Sequence, residues 1–200
     1  MFTRLSLRTG PPLLVALACA STLLFAAEPP AIHVHNFAKV NDRLYRGGEP
    51  ELVGLQELGA MGIKIDIDLR ESGEATDFER KQAEKLGIKY VPVPMNGFLA
   101  PTNAQMEKVL SLLMQDKSDS VFVHCRRGKD RTGTVIACYR IQHDGWSNAA
   151  ALAEAKKFGM SFAERGMRSY IVHFKPLSFS DISRLNSSNP GAATAPSVQP

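Results

Sequence analysis

Two hundred residues with 44% hydrophobic and 22% charged side chains are enough to build one domain around a real core, and that balance excludes a disordered chain. Net charge falls from +4 to +2 once residues 1–27 are set aside, because that stretch holds Arg4 and Arg8 and no acid. A nearly neutral remainder excludes bulk attraction to nucleic acid, so any bound anion must be held by local charge.

The chain opens with MFTRLSLRTG and an uncharged apolar run from Pro11 to Ala27. A basic start, an apolar stretch and small residues at its end describe a secretory signal peptide, cleaved near Ala26–Ala27 or at Ala18-Cys19-Ala20. An uncleaved anchor is the alternative, since the 17-residue run approaches bilayer-spanning length. By either route the protein is expected to be exported, in a periplasm or anchored there by residues 11–27.

Residues 28–177 are expected to form the folded domain. In AKVNDRLYRGGEP, Leu44-Tyr45-Arg46 reads as a strand end before a Gly-Gly turn. Leu52, Leu55 and Leu58 lie at helical spacing between Pro50 and Gly62. Ile63, Ile65, Ile67 and Leu69 then alternate with Lys64, Asp66 and Asp68, which predicts a strand with one apolar and one polar face. GEATDFERKQAEKLG is a polar helix stopped by Gly87, and the prolines of IKYVPVP point to an edge strand or an exit into a loop. A capping box, Thr102 to Gln105, opens a helix that turns Met106, Val109, Leu110 and Leu113 inward. Ser120 to His124 is a short strand, and Thr132 to Gln142 an apolar helix. Ser147 caps another helix and FAERGMRSYIVHFK forms the last. Residues 178–200 turn to Ser, Asn, Pro, Ala and Gly and read as a disordered tail. Strands alternating with helices predict an α/β domain with a largely parallel sheet flanked by helices.

VFVHCRRGKDRTG, residues 121–133, gathers Arg126, Arg127, Lys129 and Arg131 behind Cys125. A loop between a strand's carboxyl end and a helix's amino end offers a ring of backbone N–H groups beside a positive helix terminus, which is an anion cradle. Gly128 allows a backbone conformation that a side chain would obstruct, and Arg131 can grip two phosphate oxygens with its planar fork. The same field stabilises a thiolate, so the Cys125 pKa is expected well below that of a free thiol. His124 can order the loop through a hydrogen bond, and Thr132 can assist the sulfur when it becomes the leaving group. Attack of that sulfur on phosphorus would give a thiophosphoryl intermediate that water later releases.

His124-Cys125, five residues, Arg131-Thr132, with Gly128 between, resembles the signature of the cysteine-dependent protein-tyrosine phosphatase superfamily. NFAKVNDRLYRGGEP, IDLR at 67–70, HCRRGKDRTG, and YRIQHDGW followed by Glu154 extend the resemblance to the atypical dual-specificity phosphatases of plants and fungi and their bacterial relatives. These landmarks cover roughly residues 36–160. The resemblance implies the family's α/β fold, Cys125 as nucleophile and Arg131 as the transition-state clamp, with Arg126, Arg127, Gly128, Lys129 and Asp130 completing the phosphate loop. It implies phosphatase activity without metal or other cofactor. Its substrates would be phosphorylated proteins (tyrosine or dual specificity) or a polyanion such as an inositol phosphate, inositol pyrophosphate or phosphoinositide.

One landmark is missing. Such phosphatases supply an acid from an upstream loop to protonate the leaving alcohol, yet PVPMNGFLAPTNAQ contains no Asp or Glu. Asp130 is the candidate, by resemblance to the myotubularin type, although it can equally balance Lys129 and Arg131. Asp68 and Arg70 end their strand where α/β sheets place ligands, and Arg70 serves either substrate or loop packing. Arg126, Arg127 and Lys129 exceed what one phosphate needs, and read as a polyanion rim or as a field that tunes the cysteine.

The bland readings are these. His33 and His35 lack further ligands for a metal. Trp146 packs between helices. Cys138 lies roughly 10 Å along the helix axis from the loop, beyond the ~7 Å reach of a disulfide, and reads as core. Two other functions stay open at this point: a non-catalytic phosphate-binding module, and a rhodanese-type sulfurtransferase, against which the Arg131-Thr132 ending argues.

Overall fold

A computed structural model describes residues 32–115 and 119–178. The expected leader and nearly all of the expected tail lie outside the described residues. Among those described, no helix is long and apolar enough to cross a membrane.

In chain order the elements are β1 (Ala38–Lys39), β2 (Leu44–Gly47), α1 (Leu52–Ala60), β3 (Ile63–Asp68), α2 (Glu74–Lys85), β4 (Lys89–Pro92), α3 (Asn103–Leu113), β5 (Ser120–His124), α4 (Asp130–His143), α5 (Asn148–Lys157) and α6 (Arg165–His173). The strands form one sheet in the order β1-β2-β5-β3-β4. β1 runs antiparallel to β2, and the other pairs are parallel. The proline-bearing β4 takes an edge, where a missing N–H removes no ladder bond. β5 is central, and its last residue, His124, stands in register with Gly47 on one side and Asp68 on the other. The loop after β5 therefore leaves the sheet at the carboxyl ends of three neighbouring parallel strands, where open α/β sheets bind ligands.

Helices cover both faces. Leu55 and Leu58 of α1, Ala83 of α2 and Ile88 pack with Ile63 and Phe122 on one side. On the other side, Ile67, Leu69, Val121 and Val123 meet Met106, Val109 and Leu110 of α3 and Val135, Ile136 and Tyr139 of α4. Thr102 caps α3 by accepting from the Gln105 amide while the Gln105 side chain takes the Thr102 N–H, the reciprocal box read from sequence.

Three expectations need correction. A bulge between Ile63 and Ile65 shifts the register against β5, so Ile63 joins the α1–α2 core while Ile65, Ile67 and Leu69 face α3 and α4. An extra residue in a strand reverses the side-chain phase from that point on. Next, Asp66 and Asp68 do not face solvent but are fully buried, because both faces of the sheet are covered. Last, Trp146 is half-exposed, with the Arg140 guanidinium 4.7 Å from its ring centre. Arg140 also pairs with Asp144, at the C-cap of α4, and with Glu154 on α5.

Candidate active site

Cys125 follows β5 directly and is buried at 3% exposure. Burial opposes its ionisation, but the Thr132 hydroxyl and amide, the Arg131 guanidinium and the Arg127 amide outweigh it, and the thiol pKa falls below the ordinary value. The Thr132 hydroxyl is itself buried without an oxygen or nitrogen acceptor, which leaves it to the sulfur. Cys138, by contrast, is buried in the core among apolar side chains, and burial raises its pKa. Both cysteines are free.

The loop closes over the sulfur because its back is pinned. Gly128 has φ 67°, and a Cβ there would lie 2.5 Å from the Gly47 carbonyl carbon. Its carbonyl accepts from the Asn36 amide at 2.8 Å and from Arg46 Nη2 at 2.9 Å. Sequence reading missed both donors. Arg46 is a fully buried cation whose guanidinium carbon stands over the Phe158 ring, 3.9 Å from its centre. Burial pulls its pKa down to about 10, while Glu154 and Cys125 resist that fall. The available signal was an arginine directly before two glycines: absent side chains let the phosphate loop approach the strand end.

Beneath the loop lies a charged cluster. His124 Nε2 sits 3.0 Å from Glu79 Oε1 and 3.2 Å from Asp66 Oδ1, and all three groups are buried. Neither contact has hydrogen-bond alignment, so the attraction is one of charge. Burial would discharge the imidazole, but Asp66 and Glu79 raise its pKa well above the ordinary value. Arg70 joins the cluster through Glu79 and Glu49 at 2.5 Å each and Asp68 at 2.7 Å, and Tyr90 donates to Asp68 at 2.6 Å. Arg70 thus holds loops together, one of the two roles its sequence position allowed. The ligand atoms of Asp66, Glu79 and His124 all lie within 4.8 Å of one another, close enough to hold a cation. Positive charge is already supplied there by Arg70 and the imidazolium.

The remaining loop residues divide between anchoring and display. Asp130 is buried; one oxygen accepts the Ser161 amide at 2.8 Å and the other pairs with Arg127 at 3.3 Å. Arg131 Nη1 donates to the carbonyls of Leu69 at 3.3 Å and Met95 at 3.2 Å. Lys129 lays its stem against Gly159, and Arg126 and Arg127 are exposed. Two successive residues of the phosphate loop therefore each fasten a neighbouring loop: Arg131 the acid-free segment 94–101, Asp130 the segment 158–164.

This chain matches the family model described as DSP-PTPase phosphatase fused to NAD+ kinase over residues 29–170. Inositol diphosphatase DSP5 of Arabidopsis thaliana is 30% identical over 138 residues, covering 66% of this chain and 67% of its own. A putative tyrosine-protein phosphatase OCA1 of Debaryomyces hansenii is 26% identical over 163 residues, covering 76% and 83%. The core catalytic domain of the PP-IP phosphatase SIW14 from S. cerevisiae, solved with citrate, superposes with a TM-score of 0.65 at 25% identity, covering 79% of this chain and 94% of that one. With a cysteine loop of this build at the centre of a sheet of this order, the chain belongs to the DSP-PTPase family and is a cysteine-dependent phosphatase of dual-specificity, protein-tyrosine type.

Proposed function

We propose that Cys125 is the nucleophile of this phosphatase and that its substrates are phosphate groups whose leaving group departs as a stable anion. The observation that carries this is the buried Cys125 sulfur, served by the Thr132 hydroxyl, two loop amides and the Arg131 guanidinium. The sulfur attacks phosphorus in line while the amides and Arg131 hold the equatorial oxygens, where charge spreads in the transition state. The ester or anhydride oxygen leaves, and water then attacks the phosphocysteine and restores the thiolate.

Asp130 is better suited to positioning than to proton donation, since both its oxygens are engaged by Ser161 and Arg127. Segment 94–101 offers no acid of its own, and the exposed Glu71 carboxylate accepts from the Asn96 amide at 3.4 Å. Aryl phosphates and phosphoanhydrides need less help from such a donor than alkyl phosphates do. The relatives' names, tyrosine-protein phosphatase and inositol diphosphatase, point to an aryl phosphate and a phosphoanhydride, whose leaving groups depart more readily than an alkyl alcohol.

Cys125→Ser tests the assignment. It is expected to abolish aryl phosphate turnover while keeping phosphate binding; turnover near the wild-type rate would remove Cys125 from its role. Export by the leader over residues 1–27 belongs to the same proposal, supported by the basic-then-apolar pattern alone.

A further inference from the structure

The two loops fastened to the phosphate loop carry three of the most exposed large apolar side chains among the described residues: Phe98 at 80%, Leu99 at 65% and Phe162 at 84%. Their display is built. Asn96 Oδ1 accepts the amides of both Phe98 and Leu99, at 2.9 and 3.1 Å, fixing a turn that holds the pair outward. Ser161 Oγ accepts the Ala163 amide at 3.1 Å, and Arg168 donates to the Phe162 carbonyl at 3.2 Å. Segment 94–101 also packs on the first turn of α6, which follows loop 158–164: a Cβ on Gly166 would lie 3.2 Å from the Ala100 nitrogen. Residues 94–106 and 158–163 contain no charged side chain, whereas the phosphate loop carries Arg126, Arg127, Lys129 and Arg131, and Arg165 is exposed at the start of α6.

An apolar crown around a basic, phosphate-sized cup is complementary to one surface in particular. Exposed apolar tips enter the acyl boundary of a bilayer, and basic groups behind them meet its phosphates. A soluble inositol polyphosphate would gain nothing from Phe98, Leu99 and Phe162. These side chains project into solvent instead of lining a cleft, so they make a poor wall for a single tyrosine ring.

We propose that this mouth seats on a membrane and that the enzyme removes the terminal phosphate of a lipid carrying a diphosphate head. This rests on the phosphocysteine reading above and names its substrate class. Segment 94–101, which holds no Asp or Glu, supplies the second half of the argument, because a lipid monophosphate leaves as an anion without protonation, whereas a lipid alcohol does not. In the first step the Cys125 S–P bond forms as the bond from the terminal phosphorus to the bridging oxygen breaks, and the lipid monophosphate departs with that electron pair. In the second, water adds to phosphorus, the S–P bond breaks, and inorganic phosphate and thiolate result. One diphosphate and one water give one monophosphate and one phosphate, with no oxidant, reductant or metal required.

The test uses the full chain and a variant combining Phe98→Ser, Leu99→Ser and Phe162→Ser, assayed on hexadecyl diphosphate in phosphatidylcholine–phosphatidylserine vesicles and on water-soluble methyl diphosphate and p-nitrophenyl phosphate. The variant is expected to keep its rates on both soluble substrates within about twofold and to lose about tenfold or more on the vesicles. Separately, Phe162→Trp in the full chain is expected to give a blue-shifted emission quenched by lipids brominated in the acyl chain, against the background of Trp146, which lies on Arg140. Absent quenching while the protein sediments with vesicles would overturn the proposal, since the leader would then be the sole anchor. An equal loss on a phosphotyrosine peptide would also overturn it, making the crown a protein-docking surface, as would conversion of a dimer to a monomer by the triple substitution. Loss of p-nitrophenyl phosphate turnover in the wild type would instead strike the phosphatase reading itself.

Discussion

His124 Nε2 stands 3.0 Å from Glu79 Oε1 with both groups buried, directly behind the residue that carries the reactive sulfur. Burial works against both charges; the net direction is upward for His124, through Asp66 and Glu79, and upward for Glu79 as well. Both groups therefore bind protons more tightly in the folded chain than in the unfolded one. The stability from His124 is complete below its unfolded value of 6.5 and is lost as pH rises through the folded value; the Glu79 share begins to fall above 4.5. Urea unfolding from pH 6.5 upward is expected to show a falling midpoint. Glu79→Gln should flatten that slope and cost about 3–5 kcal/mol at neutral pH, as removal of one partner from a buried pair does. A wild-type midpoint independent of pH would contradict this.

Arg46 supports the loop from below with one donated bond to the Gly128 carbonyl and its guanidinium carbon over the Phe158 ring. Arg46→Met removes a buried cation that interacts with the thiolate, so the Cys125 pKa should rise and kcat should fall by about tenfold, the loss of one charge-assisted hydrogen bond. Arg46→Lys should not restore activity, because an ammonium lacks the planar fork of a guanidinium. Thiol alkylation rates across pH, alongside kcat, check both statements.

Gly128→Ala should be among the most damaging single changes in the loop. Left-handed backbone costs an alanine about 1–3 kcal/mol, and its methyl would press on the Gly47 carbonyl and the Gly48 nitrogen. Circular dichroism should show the domain folded and less stable, with phosphate binding lost.

Asp130→Asn separates anchoring from acid catalysis. An amide oxygen can still accept from Ser161, so rates on aryl and alkyl phosphates should fall together and by a small factor. A selective loss on the alkyl phosphate would make Asp130 the proton donor. Glu71→Gln, run in parallel, asks the same question of the exposed carboxylate that accepts from Asn96 in segment 94–101.

What was legible in the chain was local. The Thr102–Gln105 box, the stop at Gly87 with φ 71°, the edge strand with its prolines and the loop of Cys125 to Arg131 each depend on neighbours within a few residues. The errors lie where distant segments decide. Asp66 and Asp68 alternate with isoleucines and so read as a polar strand face, yet α2 brings Glu79 and β5 brings His124 over that face, and Arg70 neutralises it. Ile63 fits the alternation in sequence, and one bulged residue against β5 turns it to the other side. Arg46 and Asn36 reach Gly128 across 82 and 92 residues, a relation no local pattern encodes.

The most direct measurement is the pH dependence of iodoacetamide alkylation at Cys125, read by mass spectrometry on the folded full chain with Cys138 as internal control. If loop amides, Thr132 and Arg131 together hold the sulfur ionised, alkylation at Cys125 reaches its plateau below the range of an ordinary thiol while Cys138 stays unreacted. A midpoint at or above that of a free cysteine would contradict the account.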